Sequence, residues 1–176
     1  YFIPMAIEEP SVVAAASNGA KMARKGGGFF TSSTESIMIG QVQAVKVPNP
    51  NEAKEKILAT KEEILNKANE GHQTIVAKDL DVKVVHALTG PMVITELHID
   101  CKDAMGANVV NSMAEAVAPL IERITRGRVF LRIVSNLATK RLARAWATIP
   151  KEAVGGEEVV DGIVEACAFA NADPYR

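Results

Sequence analysis

The chain has 176 residues, and its 20 Lys plus Arg against 21 Asp plus Glu leave a formal net charge of −1 and a pI near 6.4, which excludes the clustered basic excess of a nucleic-acid-binding surface. Hydrophobic residues at 48% against 23% charged are the composition of a folded domain rather than a disordered one. Apolar runs break within about ten residues, short of the roughly 20 a membrane-spanning helix requires, and Cys101 and Cys167 form no CxxC pair, which argues against a disulfide framework or structural zinc and for a cytoplasmic setting without a membrane partner.

Pro10-Ser11 and the following VVAAASNGAKMARK predict a helix over 10–25, because proline is tolerated in the first turn and Ala, Lys, Met and Arg favour helix. Val12, Ala15, Ala16, Gly19, Ala20 and Ala23 share one face of small residues, expected to pack closely on another element. Gly26-Gly27-Gly28 ends it. Residues 37–47 alternate in their second half and read as a strand, broken by Pro48-Asn49-Pro50-Asn51. Ile57, Leu58, Ile64 and Leu65 give the next stretch one apolar face, a single amphipathic helix ending near Gly71. Strands are expected over 80–88 and 92–101, joined by Thr89-Gly90-Pro91. A long helix over 107–126 and a strand over 128–134 follow, then a further strand over 141–149 and an Ala-rich helix over 156–171.

The order from 36 to 135 is β-α-β-β-α-β, the split βαβ or ferredoxin-like arrangement. The fold class expected is α+β, with this small domain (36–138) inserted into a partial α/β large domain made of 1–35 and 139–176. The opening Tyr1-Phe2-Ile3-Pro4 and the ending Asp173-Pro174-Tyr175-Arg176 read as cuts through a larger fold.

Asp103-Ala104-Met105-Gly106-Ala107-Asn108 precedes the second long helix. A loop of small residues at a helix N-terminus presents unpaired N–H groups and the positive end of the dipole to an anion. The alternative is capping of that helix by Asp103 or Asn108. No GxGxxG or GxxxxGK[ST] accompanies it. Glu8-Glu9 at the head of the first helix suits the dipole, or supplies a general acid if one carboxyl stays protonated in a desolvated cleft. His72, His86 and His98 lack zinc spacing, so no metal is expected. Neither Ser11 nor Ser17 has a His with an orienting acid nearby, and both cysteines are expected to be buried structural thiols.

Read together, Glu8 to Ser17 (EEPSVVAAAS), Gly27-Gly28-Phe29, Asp103 to Asn108 (DAMGAN), Asn111 to Ala116 (NSMAEA), Ser135-Asn136 and Asp173 to Arg176 (DPYR) resemble class II 3-hydroxy-3-methylglutaryl-CoA (HMG-CoA) reductase, from end to end and in family order. The resemblance implies an oxidoreductase of mevalonate metabolism that interconverts HMG-CoA and mevalonate plus CoA by two nicotinamide hydride transfers. It implies that the small domain binds the dinucleotide and the large one HMG-CoA, at a site shared across a homodimer or higher homo-oligomer. By the same resemblance Glu9 is the catalytic proton donor, and Ser11 and Arg176 contact the HMG carboxylate. Asn136 lies near the substrate, and Asp103, Met105, Gly106, Ala107 and Asn108 cradle the cofactor. Where family members preferring NAD carry an acid after the first long helix of the insert, this chain has His72, with Lys78 nearby, so both NAD and NADP stay open.

The family's oxyanion-stabilising lysine lies just beyond DPYR, and its catalytic aspartate and late histidine are also absent from this chain. The resemblance therefore implies that this polypeptide by itself is inactive. The alternative from another class is a non-catalytic ferredoxin-like regulatory or assembly module, in which the same charges are surface groups.

Overall fold

The structure, a computed structural model, describes residues 2–6 and 9–175. In chain order the elements are α1 (Pro10–Lys25), β1 (Phe30–Ser33), β2 (Ile37–Val45), α2 (Pro50–Ala59), α3 (Lys61–Asn69), β3 (Val76–Ala87), β4 (Gly90–Asp100), α4 (Ala107–Thr125), β5 (Arg128–Val134), β6 (Ala143–Trp146), α5 (Lys151–Val154) and α6 (Glu157–Ala172). The fold is α+β and divides into two compact units, residues 33–143 and residues 1–32 with 144–176. These boundaries lie outside the 36 and 138 expected from the sequence. Thr34 and Leu142 hydrogen-bond each other in both directions, Thr34 N to Leu142 O at 3.0 Å and Leu142 N to Thr34 Oγ1 at 2.8 Å, which draws both segments into the 33–143 unit.

In that unit four strands form a sheet of order β3-β4-β2-β5, with every neighbouring pair antiparallel. This is the ferredoxin-like topology. One face carries Val42, Ala44, Val82, Val93, Leu97 and Ile99, and it meets Ile57, Ile64, Val110, Met113, Val117 and Ile121 from the helices, all of them buried. The α4 residues recur at three- and four-residue intervals, one apolar stripe of a helix. Each such side chain, fully buried, contributes about 1.5–3 kcal/mol. Gly40 permits the close approach of α4 to β2, since a Cβ there would lie 3.0 Å from Val110 Cγ1.

Three local expectations change. The single amphipathic helix is two, because Thr60 Oγ1 donates to Lys56 O at 2.8 Å and Thr60 sits off helical geometry between α2 and α3. A hydroxyl bonding back to the i−4 carbonyl bends a helix, and the seven-residue recurrence of Ile57 and Ile64 hides the bend. The strand does end before Pro48-Asn49-Pro50-Asn51, but Pro50 and Asn51 already belong to α2, with proline in the first turn where its missing N–H is harmless. β3 begins at Val76, and a register shift between Ala77 and Asp79 interrupts the alternation that would have revealed it.

β1 and β6 pair, and in the other unit Phe30 and Trp146 are stacked at 6.1 Å between ring centroids. The four-residue β1 (FTSS) has too little pattern to be read from sequence. Among the described residues of this unit, Ala23 is the only buried hydrophobic. On the small-residue face of α1, Ala23 is buried and Gly19 half-buried, whereas Val12, Ala15, Ala16 and Ala20 are exposed, contrary to the close packing expected along the whole face; Cys167 is exposed too, contrary to expectation. Cys101 is buried at the end of β4, and burial pushes its thiol pKa up.

Candidate functional site

The strand register brings several loops of the 33–143 unit to one end of the sheet. Asp100 at the end of β4 lies opposite both Ile37 and Val76, the first residues of β2 and β3. Val134, the last residue of β5, lies opposite Gly40. The loops 70–75, 101–106 and 135–142 therefore emerge together, and they carry His72, Asp103 to Gly106 and Asn136.

The 101–106 loop is built by local strain and close packing. Lys102 takes φ 51 and Gly106 φ 92, while Ala104 N donates to Cys101 O at 3.0 Å to close a turn. Gly106 is required on two counts: its φ favours glycine, and a Cβ would fall 2.6 Å from Cys101 Sγ and 2.9 Å from Met38 Sδ. Gly106 is the N-cap of α4 and provides no side-chain cap, and neither Asp103 nor Asn108 caps the helix in its place. The capping alternative is thus not what the loop does. Ala107 N reaches only the Met105 thioether sulfur, at 3.4 Å. Met105 is 71% exposed. An exposed loop leading into an uncapped helix start presents amide donors and a positive dipole end to solvent. Arg141, from the 135–142 loop, donates through Nη2 to Ala104 O at 2.9 Å and through Nη1 to Met105 O at 3.0 Å.

Beside this loop sits a charge cluster that sequence reasoning missed. The Asp100 side chain is 6% exposed, and its Oδ2 accepts from Lys102 Nζ and Lys78 Nζ, each at 2.6 Å. Lys102 N adds a bond to Oδ1 at 3.1 Å. Those bonds, the Lys102 ammonium first, hold the Asp100 carboxyl far below the usual carboxylate range, and the carboxylate in turn raises the Lys78 pKa. Lys78 is brought there by the β3 irregularity, which no periodicity in the sequence signals.

His72 is half-buried just past α3, its N–H donating to Asn69 O at 3.0 Å. The Asn69 side chain brackets Ala77, accepting from its N–H at 2.8 Å and donating to its carbonyl at 3.0 Å, so the start of β3 is fixed to the end of α3. Asn136 is exposed just beyond β5. In the other unit Glu9 precedes α1 and is exposed, with Ser11 Oγ donating to its Oε1. The desolvated setting expected for that acid is not provided by the described residues of its own unit. Arg176 and Glu8 lie outside the described residues. Among the described residues no group of three His, Cys, Asp or Glu side chains is placed to hold a metal ion.

Arg141, Asn69 and Asp100 could not have been singled out from the sequence, since each acts through backbone or charge partners that only the sheet register brings near.

A family model described as hydroxymethylglutaryl-coenzyme A reductase matches residues 1–176. The chain is 58% identical over 181 aligned positions to the 3-hydroxy-3-methylglutaryl-coenzyme A reductase of Archaeoglobus fulgidus, covering 100% of this chain and 42% of that protein. A class II 3-hydroxy-3-methylglutaryl-CoA reductase from Streptococcus pneumoniae, solved bound to NADPH in open conformations, matches with a TM-score of 0.94 at 37% identity, over 99% of this chain and 44% of that one. A second structure of the Streptococcus pneumoniae reductase matches with a TM-score of 0.91 at 38% identity, over 96% of this chain and 48% of that one. The chain thus spans less than half the length of these relatives, and it belongs to the hydroxymethylglutaryl-coenzyme A reductase family.

Proposed function

We propose that this chain carries the dinucleotide-binding unit and part of the substrate-binding unit of a reductase that interconverts HMG-CoA and mevalonate plus CoA. The observation that carries the cofactor half is the 101–106 loop: exposed, kinked through Gly106, and continuous with an α4 start that no side-chain oxygen caps among the described residues. Amide donors at a helix start suit a pyrophosphate, so Met105, Gly106, Ala107 and Asn108 are assigned to hold it, with Asp103 and His72 at the same end of the sheet. The relative solved with NADPH supports a nicotinamide dinucleotide as that ligand. When bound, the nicotinamide supplies the hydride for carbonyl reduction. His72 and the Lys78 ammonium, in place of an acid that would repel a 2′-phosphate, leave the site open to both NAD and NADP.

Glu9 is assigned to donate the proton that a reduced carbonyl oxygen requires, with Ser11 holding its carboxyl in orientation through the observed hydrogen bond. Ser11, Asn136 and Arg176 are assigned to the HMG moiety, the guanidinium suiting a carboxylate. The exposed apolar residues of α6, Val159, Ile163 and Val164, support a site completed by a second subunit in a homodimer or larger homo-oligomer. Two free cysteines support a cytoplasmic setting, and among the described residues no helix is long and apolar enough to cross a membrane. The test is a steady-state assay of the full-length protein. Oxidation of NADPH or NADH that depends on HMG-CoA is the expected result; oxidation indifferent to HMG-CoA, or none with either cofactor, overturns the proposal.

A further inference from the structure

We infer that Arg141 is a positioning residue that aims the amides of the 101–106 loop at the pyrophosphate, an inference resting on the reading of that loop as the dinucleotide site. A trans peptide sets its carbonyl and its N–H on opposite sides of one plane, and the described chain has no cis bond. Drawing the Ala104 and Met105 carbonyls onto one guanidinium, at 2.9 and 3.0 Å, turns the Met105 and Gly106 N–H groups the other way. Neither N–H donates to another group among the described residues. With those two planes reversed, the loop would meet an anion with carbonyl oxygens, which repel it. The clamp therefore decides the sign of the loop.

Arg141 is itself held in place. Its neighbour Leu142 is bonded to Thr34 in both directions, and Thr34 Oγ1 donates to Lys140 O at 3.0 Å, which ties the segment to the chain entering β2. From below, Gly106 rests against Cys101 and Met38. The loop is thus fixed from two directions. A planar fork can take two carbonyls at once, whereas a lysine offers a point charge.

The test compares Arg141→Ala, Arg141→Lys and Ala107→Asp in the full-length protein, measuring kcat and the KM for NADPH and for HMG-CoA separately. Ala107→Asp places a carboxylate in the first turn of α4 and reports on the loop reading itself. Arg141→Ala is expected to raise the NADPH KM about tenfold, the scale of losing charge-assisted hydrogen bonds. Arg141→Lys is expected to raise it less, and neither to change the HMG-CoA KM. A raised NADPH KM for Ala107→Asp with no change for either Arg141 variant overturns this inference alone. No change for Ala107→Asp overturns the loop reading and this inference with it. Parallel rises in both KM values across the Arg141 variants show a general structural role and also overturn it; if Arg141→Ala does not fold, the Arg141→Lys values decide.

Discussion

Asp100 is the residue on which the charge balance of the site end turns. Its carboxyl, held by Lys102 and Lys78, titrates below the unfolded value of about 3.9. A depressed native pKa stabilises the fold fully above about pH 4 and loses that contribution as pH falls from there toward the native value. Asp100→Asn is therefore expected to unfold more readily at neutral pH and to lose less stability than the unchanged protein between about pH 4 and pH 2, as followed by denaturant melts across that range. Thr95 makes a contrary case. It is fully buried in β4, and its hydroxyl has no hydrogen-bond partner among the described residues. Leaving a buried hydroxyl unpaired costs about 1–3 kcal/mol, so Thr95→Val is expected to stabilise the protein by about 1 kcal/mol in the same melts. At this scale the sequence was a partial guide. It marked Gly106 and the small residues of the loop, whose chemistry is written in their identity. It passed over Arg141 and Asp100, whose roles exist only once β2, β3, β4 and the 135–142 segment are side by side.

Among the elements, α4 is the one that joins core to site. Its apolar stripe fills the sheet face while its uncapped start faces solvent. Asn111 Oδ1 accepts from Val134 N at 2.9 Å, and Glu122 Oε1 accepts from Val129 N at 2.7 Å, so the helix holds both ends of β5. Pro119 lies within the helix on its exposed side, where the carbonyl it leaves without a helical donor can be hydrated. Pro119→Ala is expected to raise stability by roughly 1–3 kcal/mol, as the missing helical bond is restored, measured as a shift in the denaturation midpoint. The long elements were legible because their periodicity is sustained: α4 and the β2 and β4 strands stand within one or two residues of expectation. What was not legible were the interruptions. The Thr60 bend, the β3 irregularity and the short β1 each depend on one hydrogen bond or one partner strand, and none alters the apolar pattern that a reader of sequence follows.

For the whole molecule, the two units differ in how they are stabilised. The 33–143 unit holds nearly every buried hydrophobic residue, whereas the described part of the other unit has Ala23 alone. Limited proteolysis of the 176-residue polypeptide is therefore expected to cut α1 and α6 early and to leave a resistant product close to 33–143; early cuts within β2 or α4 would contradict this. The resemblance to a known family was carried by strings scattered along the chain, so it was legible before any coordinate. The resemblance also named the proposed site residues, but their grouping needed the sheet register, which brings the segments carrying His72, 101–106 and Asn136 out at one end of four paired strands.

The most direct measurement is a calorimetric titration of NADPH into the full-length protein and into Asn108→Asp. A carboxylate in the first turn of α4 favours the helix dipole, so thermal stability should hold or rise, while like charge at the pyrophosphate weakens binding. The account predicts a Kd raised about tenfold or more, about 1.4 kcal/mol of binding lost, with no loss of stability. Unchanged NADPH affinity in a folded Asn108→Asp protein would contradict it.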